Sequence, residues 1–283
     1  MHVGRGGLGL TLECYGDESA PAVLYTHGFG QNRQAWHAAA IRLAEMGWPG
    51  IALDGRGHGD SEWATDGCYE LDHFAEDLRS IVSTLPRKPV LIGASMGGLL
   101  GLLCEGEHGG QFAAMVLVDV TPRWELSGVD RILNFMGAHP DGFADFAHAA
   151  EAIAAYLPHR RGRKSPEQLR SLLVARADGR LRWHWDPRLL NEIARGSERY
   201  QDDLVAAAGR VQVPTLLISG GLSDLVSSRN VDEFLQLVPH ATHVQIADAT
   251  HMVAGDRNDQ FTATILAFLS TLAAAEASTG ASS

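Results

Sequence analysis

The stretch that decides the fold is Val90-Leu-Ile-Gly-Ala-Ser95-Met-Gly-Gly-Leu-Leu-Gly-Leu-Leu-Cys-Glu105. Its first three residues are an apolar run that predicts a buried strand, and leucines at helical spacing after residue 98 predict a helix. A strand that becomes a helix within about five residues needs a very tight turn. Gly93 and Gly97 remove the Cβ atoms that would clash in that turn, which leaves Ser95 exposed at a strained corner.

This Gly-x-Ser-x-Gly turn suits a nucleophile. A serine hydroxyl is a weak nucleophile at neutral pH, so it needs a neighbouring base and hydrogen-bond donors for the oxyanion that forms. The turn exposes Ser95 to a histidine from elsewhere and aims the backbone N–H of Met96, at the helix start, at the developing charge. A serine that only caps the helix gives the same short pattern, so the rest of the chain must decide.

Composition and charge narrow the class of protein. The 283 residues include 45% hydrophobic and 20% charged side chains, which is typical of a globular protein with an ample core. The net charge of −11 argues against nucleic acid and anionic membranes as partners. There is no signal-like or membrane-length apolar run, and the three cysteines are scattered. We therefore expect a cytoplasmic protein with reduced thiols.

Strands and helices alternate on both sides of the opening stretch. This alternation predicts an α/β fold with a mostly parallel, doubly wound sheet, whose active site lies at the carboxyl ends of the strands. His27, Asp54, Ser95 and Asp119 each follow a predicted strand, so they are expected at one edge. The predicted strands cover residues 22–26, 51–53, 90–92, 114–118, 215–219 and 243–246.

The alternation stops between residues 123 and 209. That segment has no convincing buried strand and predicts a helical cap inserted into a core formed by residues 1–122 and 210–276. Residues 277–283 are small and polar and are expected to be disordered. The predicted cap helices cover residues 124–136, 143–156, 166–177 and 187–199.

Three other features have a functional and a structural interpretation. The glycine-rich loop Asp54–Ser61 resembles a phosphate cradle, but it lacks the Lys-Ser/Thr pair and opens no helix, so phosphate binding is disfavoured. The basic loop Arg160–Lys164 is interpreted as a solvated linker in preference to a site for anionic substrates. Trp183 and Trp185 either close over an apolar ligand or anchor the cap, and anchoring is favoured.

A nucleophile at Ser95 needs a base and an acid that orients the base. Among thirteen histidines, His251 follows the last predicted strand and precedes the last helix. Asp224 follows a strand and comes before His251, which gives the order Ser, Asp, His of a nucleophile-elbow hydrolase. Asp119 is the competitor, for which bracing a loop is the favoured role. No His-Glu-x-x-His or paired-cysteine spacing occurs, so no metal is expected.

Taken together, five motifs resemble the α/β-hydrolase fold superfamily in its capped group. The resemblance implies Ser95 as nucleophile, His251 as base and Asp224 as acid. It also implies an oxyanion hole made by the backbone N–H groups of Phe29 and Met96. Serine at the elbow departs from epoxide hydrolases and haloalkane dehalogenases, which have aspartate there. The motifs are His27-Gly-Phe-Gly30, Asp54-Gly-Arg-Gly-His-Gly-Asp-Ser61, Gly93-Ala-Ser-Met-Gly-Gly98, Gly221-Leu-Ser-Asp224 and His251.

The leading hypothesis is a cofactor-free serine hydrolase that cleaves a small carboxylic ester or lactone through an acyl-enzyme. One alternative is a carbon–carbon bond hydrolase acting on a vinylogous diketone, and another is a ligand-binding protein that keeps the fold without turnover. The sequence leaves the oligomeric state open. The candidate pocket residues are His27, Gly28, Trp124, Trp183, Trp185 and Met252.

Overall fold

The computed structural model describes residues 1–156, 165–196, 199–256 and 258–280. The basic loop Arg160–Lys164 therefore lies outside the described residues. Within the described part of the chain, each helix is too short or too polar to cross a lipid bilayer.

A seven-stranded sheet forms the centre of the molecule, in the spatial order β11-β10-β7-β6-β4-β5-β3. Neighbouring strands are parallel except β3, which runs antiparallel to β5 at one edge. The prediction of a mostly parallel sheet is confirmed. The strands are β1 (His2–Val3), β2 (Gly9–Leu10), β3 (Leu12–Tyr15), β4 (Val23–Thr26), β5 (Gly50–Leu53), β6 (Val90–Ala94), β7 (Ala114–Val118), β8 (Leu173–Ala175), β9 (Leu181–Trp183), β10 (Thr215–Gly220) and β11 (Thr242–Ile246).

Helices cover both faces of this sheet, which is why its strands are apolar at successive positions. Leu91 packs in the hydrophobic cluster on one face, and its neighbour Ile92 packs in the cluster on the other. The helices are α1 (His37–Glu45), α2 (Leu71–Thr84), α3 (Met96–His108), α4 (Leu126–Gly137), α5 (Phe146–Tyr156), α6 (Pro166–Arg170), α7 (Leu189–Gly196), α8 (Arg199–Ala208), α9 (Ser228–Leu237), α10 (Val253–Asp256) and α11 (Asn258–Gly280).

The inserted segment is less purely helical than the sequence predicted. The predicted helix over 166–177 ends at Arg170, and β8 and β9 follow as an antiparallel pair. Gly179 lies in the connecting turn with a φ of 78°. Asp178-Gly179 is a dipeptide typical of a hairpin turn, so the sequence carried a signal for this pair.

Helix α8 belongs to the core although it falls inside the predicted cap range. It packs against α3 so closely that a Cβ atom on Gly106 would lie 2.2 Å from the carbonyl oxygen of Ala207. Just after α8, the Arg210 Nε–H donates to the carbonyl of Gly106 over 2.6 Å. At the other end of the chain, α11 continues to Gly280, into the segment that was predicted to be disordered, and residues 281–283 are outside the described range.

The contact between α3 and α8 gives a stability test. Gly106→Ala should lower the free energy of unfolding by about 1–3 kcal/mol, because the added methyl group meets backbone that cannot rotate away. Denaturant titration measures the change. Gly137→Ala is the matched control, because its Cβ would have Leu190 Cδ1 at 3.9 Å as nearest neighbour, so its stability should be unchanged or slightly higher. Equal losses in both variants would contradict the packing argument.

Candidate active site

Ser95 lies at the junction of β6 and α3 with φ 50° and ψ −123°, a backbone conformation that residues other than glycine rarely adopt. Its N–H donates to the carbonyl of Val118 on β7 over 3.0 Å. A Cβ on Gly93 would lie 2.7 Å from the Gly97 carbonyl oxygen, and one on Gly97 would lie 2.4 Å from that of Thr26. The two glycines are therefore required by the turn, as the sequence predicted.

His251 is oriented by a buried carboxylate. Its Nδ1–H donates to Asp119 Oδ2 over 2.7 Å, and the Asp119 side chain has no exposed surface. Asp119 also accepts the Gly220 N–H at 2.8 Å and the Ser223 hydroxyl at 2.5 Å. Three donors thus fix one carboxylate, and His251 and Ser95 line the same cavity. This arrangement holds the His251 ring in the tautomer in which Nε2 is free to accept a proton.

The prediction that Asp224 orients His251 is wrong in this structure. Asp224 accepts a hydrogen bond from the Arg131 guanidinium on α4 over 2.6 Å, and its side chain is 36% exposed. The loop after β10 presents Ser223 to Asp119 while it presents Asp224 to the cap. Asp119, for which the sequence favoured a bracing role, is the hydrogen-bond partner of His251.

The loop His27–Gly30 packs directly beside Ser95. A Cβ on Gly28 would come 3.0 Å from Ser95 Cβ, so this loop can approach only because residue 28 is a glycine. Phe29 follows in the same loop, and Met96 is the first residue of α3, where backbone N–H groups have no partner within the helix. The oxyanion hole formed by Phe29 and Met96 remains a prediction that this proximity supports.

Two buried histidines hold that loop in place. His27 donates from Nδ1 to the Gly28 carbonyl at 2.8 Å and accepts the Gly55 N–H at Nε2 at 2.9 Å. His58 accepts the Gly30 N–H at 3.2 Å. Burial lowers the pKa of both rings, and for His58 well below its usual value. They are neutral supports of the loop, although His27 also lines the cavity that contains Ser95.

A third histidine, His184, connects the cap to the glycine-rich loop Asp54–Ser61, which contains His58. It is 5% exposed, and its Nδ1 accepts the Gly59 N–H over 2.7 Å. Burial, with the nearby His27 as a smaller cause, lowers its pKa to about 4. Its neighbour Trp185 is 2% exposed and packs with its ring centroid 5.1 Å from that of Phe29. Trp185 therefore anchors the cap behind the loop that carries Phe29, as the sequence interpretation favoured.

The glycine-rich loop Asp54–Ser61 does not form a phosphate cradle. The Asp54 carboxylate accepts the Arg33 N–H at 2.7 Å and the Asp60 N–H at 2.9 Å, and it also pairs with the Arg33 guanidinium. Gly59 has a φ of 56°, and a Cβ there would lie 2.2 Å from Asp54 Oδ2. A buried carboxylate already occupies the centre of this loop and would repel a phosphate.

Ser95 opens into two cavities. The smaller has a volume of about 140 Å³ and mostly apolar walls, and the larger has a volume of about 350 Å³ and more polar walls. Of the predicted pocket residues, Trp124 lines the smaller cavity and Trp185 lines neither. The larger cavity is lined by the remaining predicted pocket residues His27, Gly28, Trp183 and Met252, by His251, and by Asn32, Arg131, Tyr156, Gln168 and Asp224.

Arg131 and Tyr156 are cavity residues that the sequence reasoning missed. Arg131 donates to the Tyr156 carbonyl over 2.7 Å, and its guanidinium lies 4.8 Å from the centre of the Tyr156 ring. Burial, with the charge of Asp224 as a second cause, raises the pKa of Tyr156 to about 12, so the phenol is neutral at physiological pH. No short motif marks either residue, because both depend on how the cap folds over the sheet.

Comparison with known proteins agrees with this geometry. The family model described as the alpha/beta hydrolase fold matches residues 21–257. The chain is 29% identical over 248 residues to 2-(acetamidomethylene)succinate hydrolase of Mesorhizobium japonicum, covering 86% of each. It is 28% identical over 247 residues to Esterase Rv0045c of Mycobacterium tuberculosis, covering 84% of this chain and 79% of that one. A crystal structure of E-2-(acetamidomethylene)succinate hydrolase superposes with a TM-score of 0.83 at 25% identity, covering 95% and 98%.

The buried His184 gives a pH test of stability. Its folded-state pKa of about 4 lies below that of an exposed histidine, so between pH 6.5 and 4 the unfolded chain binds a proton that the folded chain does not. The free energy of unfolding therefore decreases as the pH falls, and at pH 4 the proton taken up by the unfolded histidine has lowered it by roughly 3 kcal/mol. Urea titrations across this range should show a shallower pH dependence for His184→Asn than for the wild type. Parallel curves would contradict the assignment.

Proposed function

Because the chain belongs to the α/β-hydrolase fold family, we propose that it is a serine hydrolase that cleaves a carboxylic ester or lactone with Ser95, His251 and Asp119. The observation that carries the proposal is the 2.7 Å hydrogen bond from His251 to the buried Asp119 carboxylate, in the cavity that also contains Ser95. This chemistry requires a serine on a strained turn, a histidine with one ring nitrogen fixed by a hydrogen bond, and a buried carboxylate that accepts that bond.

In the proposed reaction, His251 Nε2 takes the proton of the Ser95 hydroxyl as the oxygen attacks the substrate carbonyl. The N–H groups of Phe29 and Met96 hold the oxyanion, and Asp119 stabilises the imidazolium. His251 then returns the proton to the leaving alcohol and the acyl-enzyme remains. A water molecule deprotonated by His251 attacks the acyl-enzyme, and collapse of the second intermediate frees the acid and Ser95.

The two cavities support an assignment of the two halves of the substrate. His251 must protonate the leaving alcohol, and it lines the larger cavity. The leaving group is therefore assigned to the larger, more polar space. The acyl chain is assigned to the smaller cavity, whose walls include Leu99 and Val129. A volume of about 140 Å³ favours a short or medium acyl chain over a long one.

Electrostatics favour an ester over a substrate of the carbon–carbon hydrolase type. The latter would carry a carboxylate that needs a positive partner. Among the described residues that line the larger cavity, Arg131 is the one with a permanent positive charge, and Asp224 already neutralises it. A neutral ester or lactone needs no such partner.

A fluorophosphonate probe and a series of p-nitrophenyl esters test the proposal. The probe should label the wild type at Ser95, and turnover should rise from acetyl to medium acyl chains and then fall as the chain outgrows the smaller cavity. Ser95→Ala should lose labelling and lower kcat by roughly 10⁴–10⁶-fold. Wild-type protein that is folded yet neither labelled nor active on esters would favour a ligand-binding role instead.

The identity of the acid is tested by a pair of matched substitutions. Asp119→Asn should lower kcat by roughly 10⁴-fold, because an amide cannot stabilise the imidazolium and favours the wrong tautomer of His251. Asp224→Asn should change kcat by less than about tenfold, since it breaks only an exposed ion pair with Arg131. Ester hydrolysis under saturating substrate measures both. The reverse ranking would return the role to Asp224.

A further inference from the structure

Three side chains with metal-binding atoms come together at the start of α2. The thiol of Cys68, the carboxylate of Glu70 and the imidazole of His73 have ligand atoms that all lie within 4.8 Å of one another. Cys68 Sγ is 4.0 Å from His73 Nε2. All three residues are half-buried, so the group is fixed by its surroundings but open to solvent on one side.

The backbone holds these residues in register. Tyr69 lies between the first two, is 3% exposed and donates its hydroxyl to Asp186 Oδ2 over 2.6 Å. Glu70 is in extended backbone just before α2, and its carboxylate lies within 4.8 Å of the Cys68 thiol. The N–H of His73 donates to the Glu70 carbonyl over 3.0 Å in the first turn, which turns the imidazole back toward them. The cluster is thus organised by buried neighbours.

We propose that Cys68, Glu70 and His73 form a site for a borderline-soft divalent metal ion such as Zn²⁺. Thiolate, imidazole and carboxylate are the ligands that zinc takes in proteins. Tetrahedral coordination with ordinary Zn–S and Zn–N bonds needs sulfur and nitrogen about 3.6 Å apart. The observed distance of 4.0 Å between Cys68 Sγ and His73 Nε2 needs to shorten by about 0.4 Å, which a small side-chain rotation achieves. The Cys68 thiol releases its proton to solvent on binding, and water fills the fourth position.

The thiolate distinguishes this site from one for Mg²⁺ or Ca²⁺, which prefer oxygen ligands. The site is separate from His251 and does not depend on the proposed hydrolysis. It nonetheless adjoins the smaller cavity, because Tyr69 and Leu71 line that cavity beside Ser95. A metal ion bound to the flanking residues therefore braces one wall of that cavity.

Titration of the reduced protein with Co²⁺ tests the site directly. Cobalt bound to a thiolate absorbs in the near ultraviolet by charge transfer, so the wild type should develop this band and saturate at one equivalent. Cys68→Ser, a near-isosteric change, should abolish the band. His73→Gln should weaken Co²⁺ binding by at least about tenfold, because even second-shell changes cost that much.

Two control variants show whether the charge-transfer band arises from Cys68. Cys14→Ser removes an exposed thiol elsewhere and should keep the band. His251→Ala should also keep the band, because His251 is not one of the proposed ligands, and its loss would place the metal ion at His251 and overturn the proposal. Circular dichroism checks that each variant is folded. No charge-transfer band in the wild type, or a band that persists in Cys68→Ser or disappears in Cys14→Ser, would overturn the proposal.

Discussion

The candidate site depends on one close approach between two backbone segments. The peptide of Gly97, at the start of α3, lies so near the end of β4 that a Cβ on residue 97 would meet the Thr26 carbonyl at 2.4 Å. This contact lets the helix begin immediately after the strand and brings the loop His27–Gly30 against Ser95. The His27 and His58 rings then hold that loop from behind. An added methyl group at residue 97 would push the loop that carries Phe29 away from Ser95, because it would meet the carbonyl oxygens of Thr26 and His27.

Backbone strain in the structure coincides with the proposed chemistry. Among the described residues, Ser95 and Asp119 are the two that have positive φ without being glycine, at 50° and 49°. Such conformations cost about 1–3 kcal/mol each and persist only where the surroundings enforce them. For Ser95 the enforcing contacts are the packed glycines, and for Asp119 they are three hydrogen-bond donors to one buried carboxylate. The strain thus lies at the two residues that we propose as the nucleophile and the orienting acid.

Local sequence pattern predicted the parallel strands of the central sheet, the elbow and the position of His251, because each is decided by residues adjacent in the chain. It could not choose between Asp119 and Asp224. Both follow parallel strands that end at the same edge, and both satisfy the order Ser, Asp, His. The choice depends on side-chain direction, which the strained backbone of residue 119 and the distant Arg131 determine. The packing of α8 on α3 depends in the same way on contacts between segments about a hundred residues apart, beyond the reach of local periodicity.

Asp224 does not contact His251, but its ion pair with Arg131 affects the charge of the site. Arg131 and Asp224 are 46% and 36% exposed, and an ion pair of that kind contributes at most about 1 kcal/mol. The ion pair is therefore too weak to hold the cap on the sheet. Buried contacts, such as that of Trp185 with Phe29, stabilise the position of the cap. What the pair does is remove a positive charge from the wall of the larger cavity. A cavity neutralised in this way suits a leaving alcohol, whereas an unpaired Arg131 would select for substrates that carry a carboxylate.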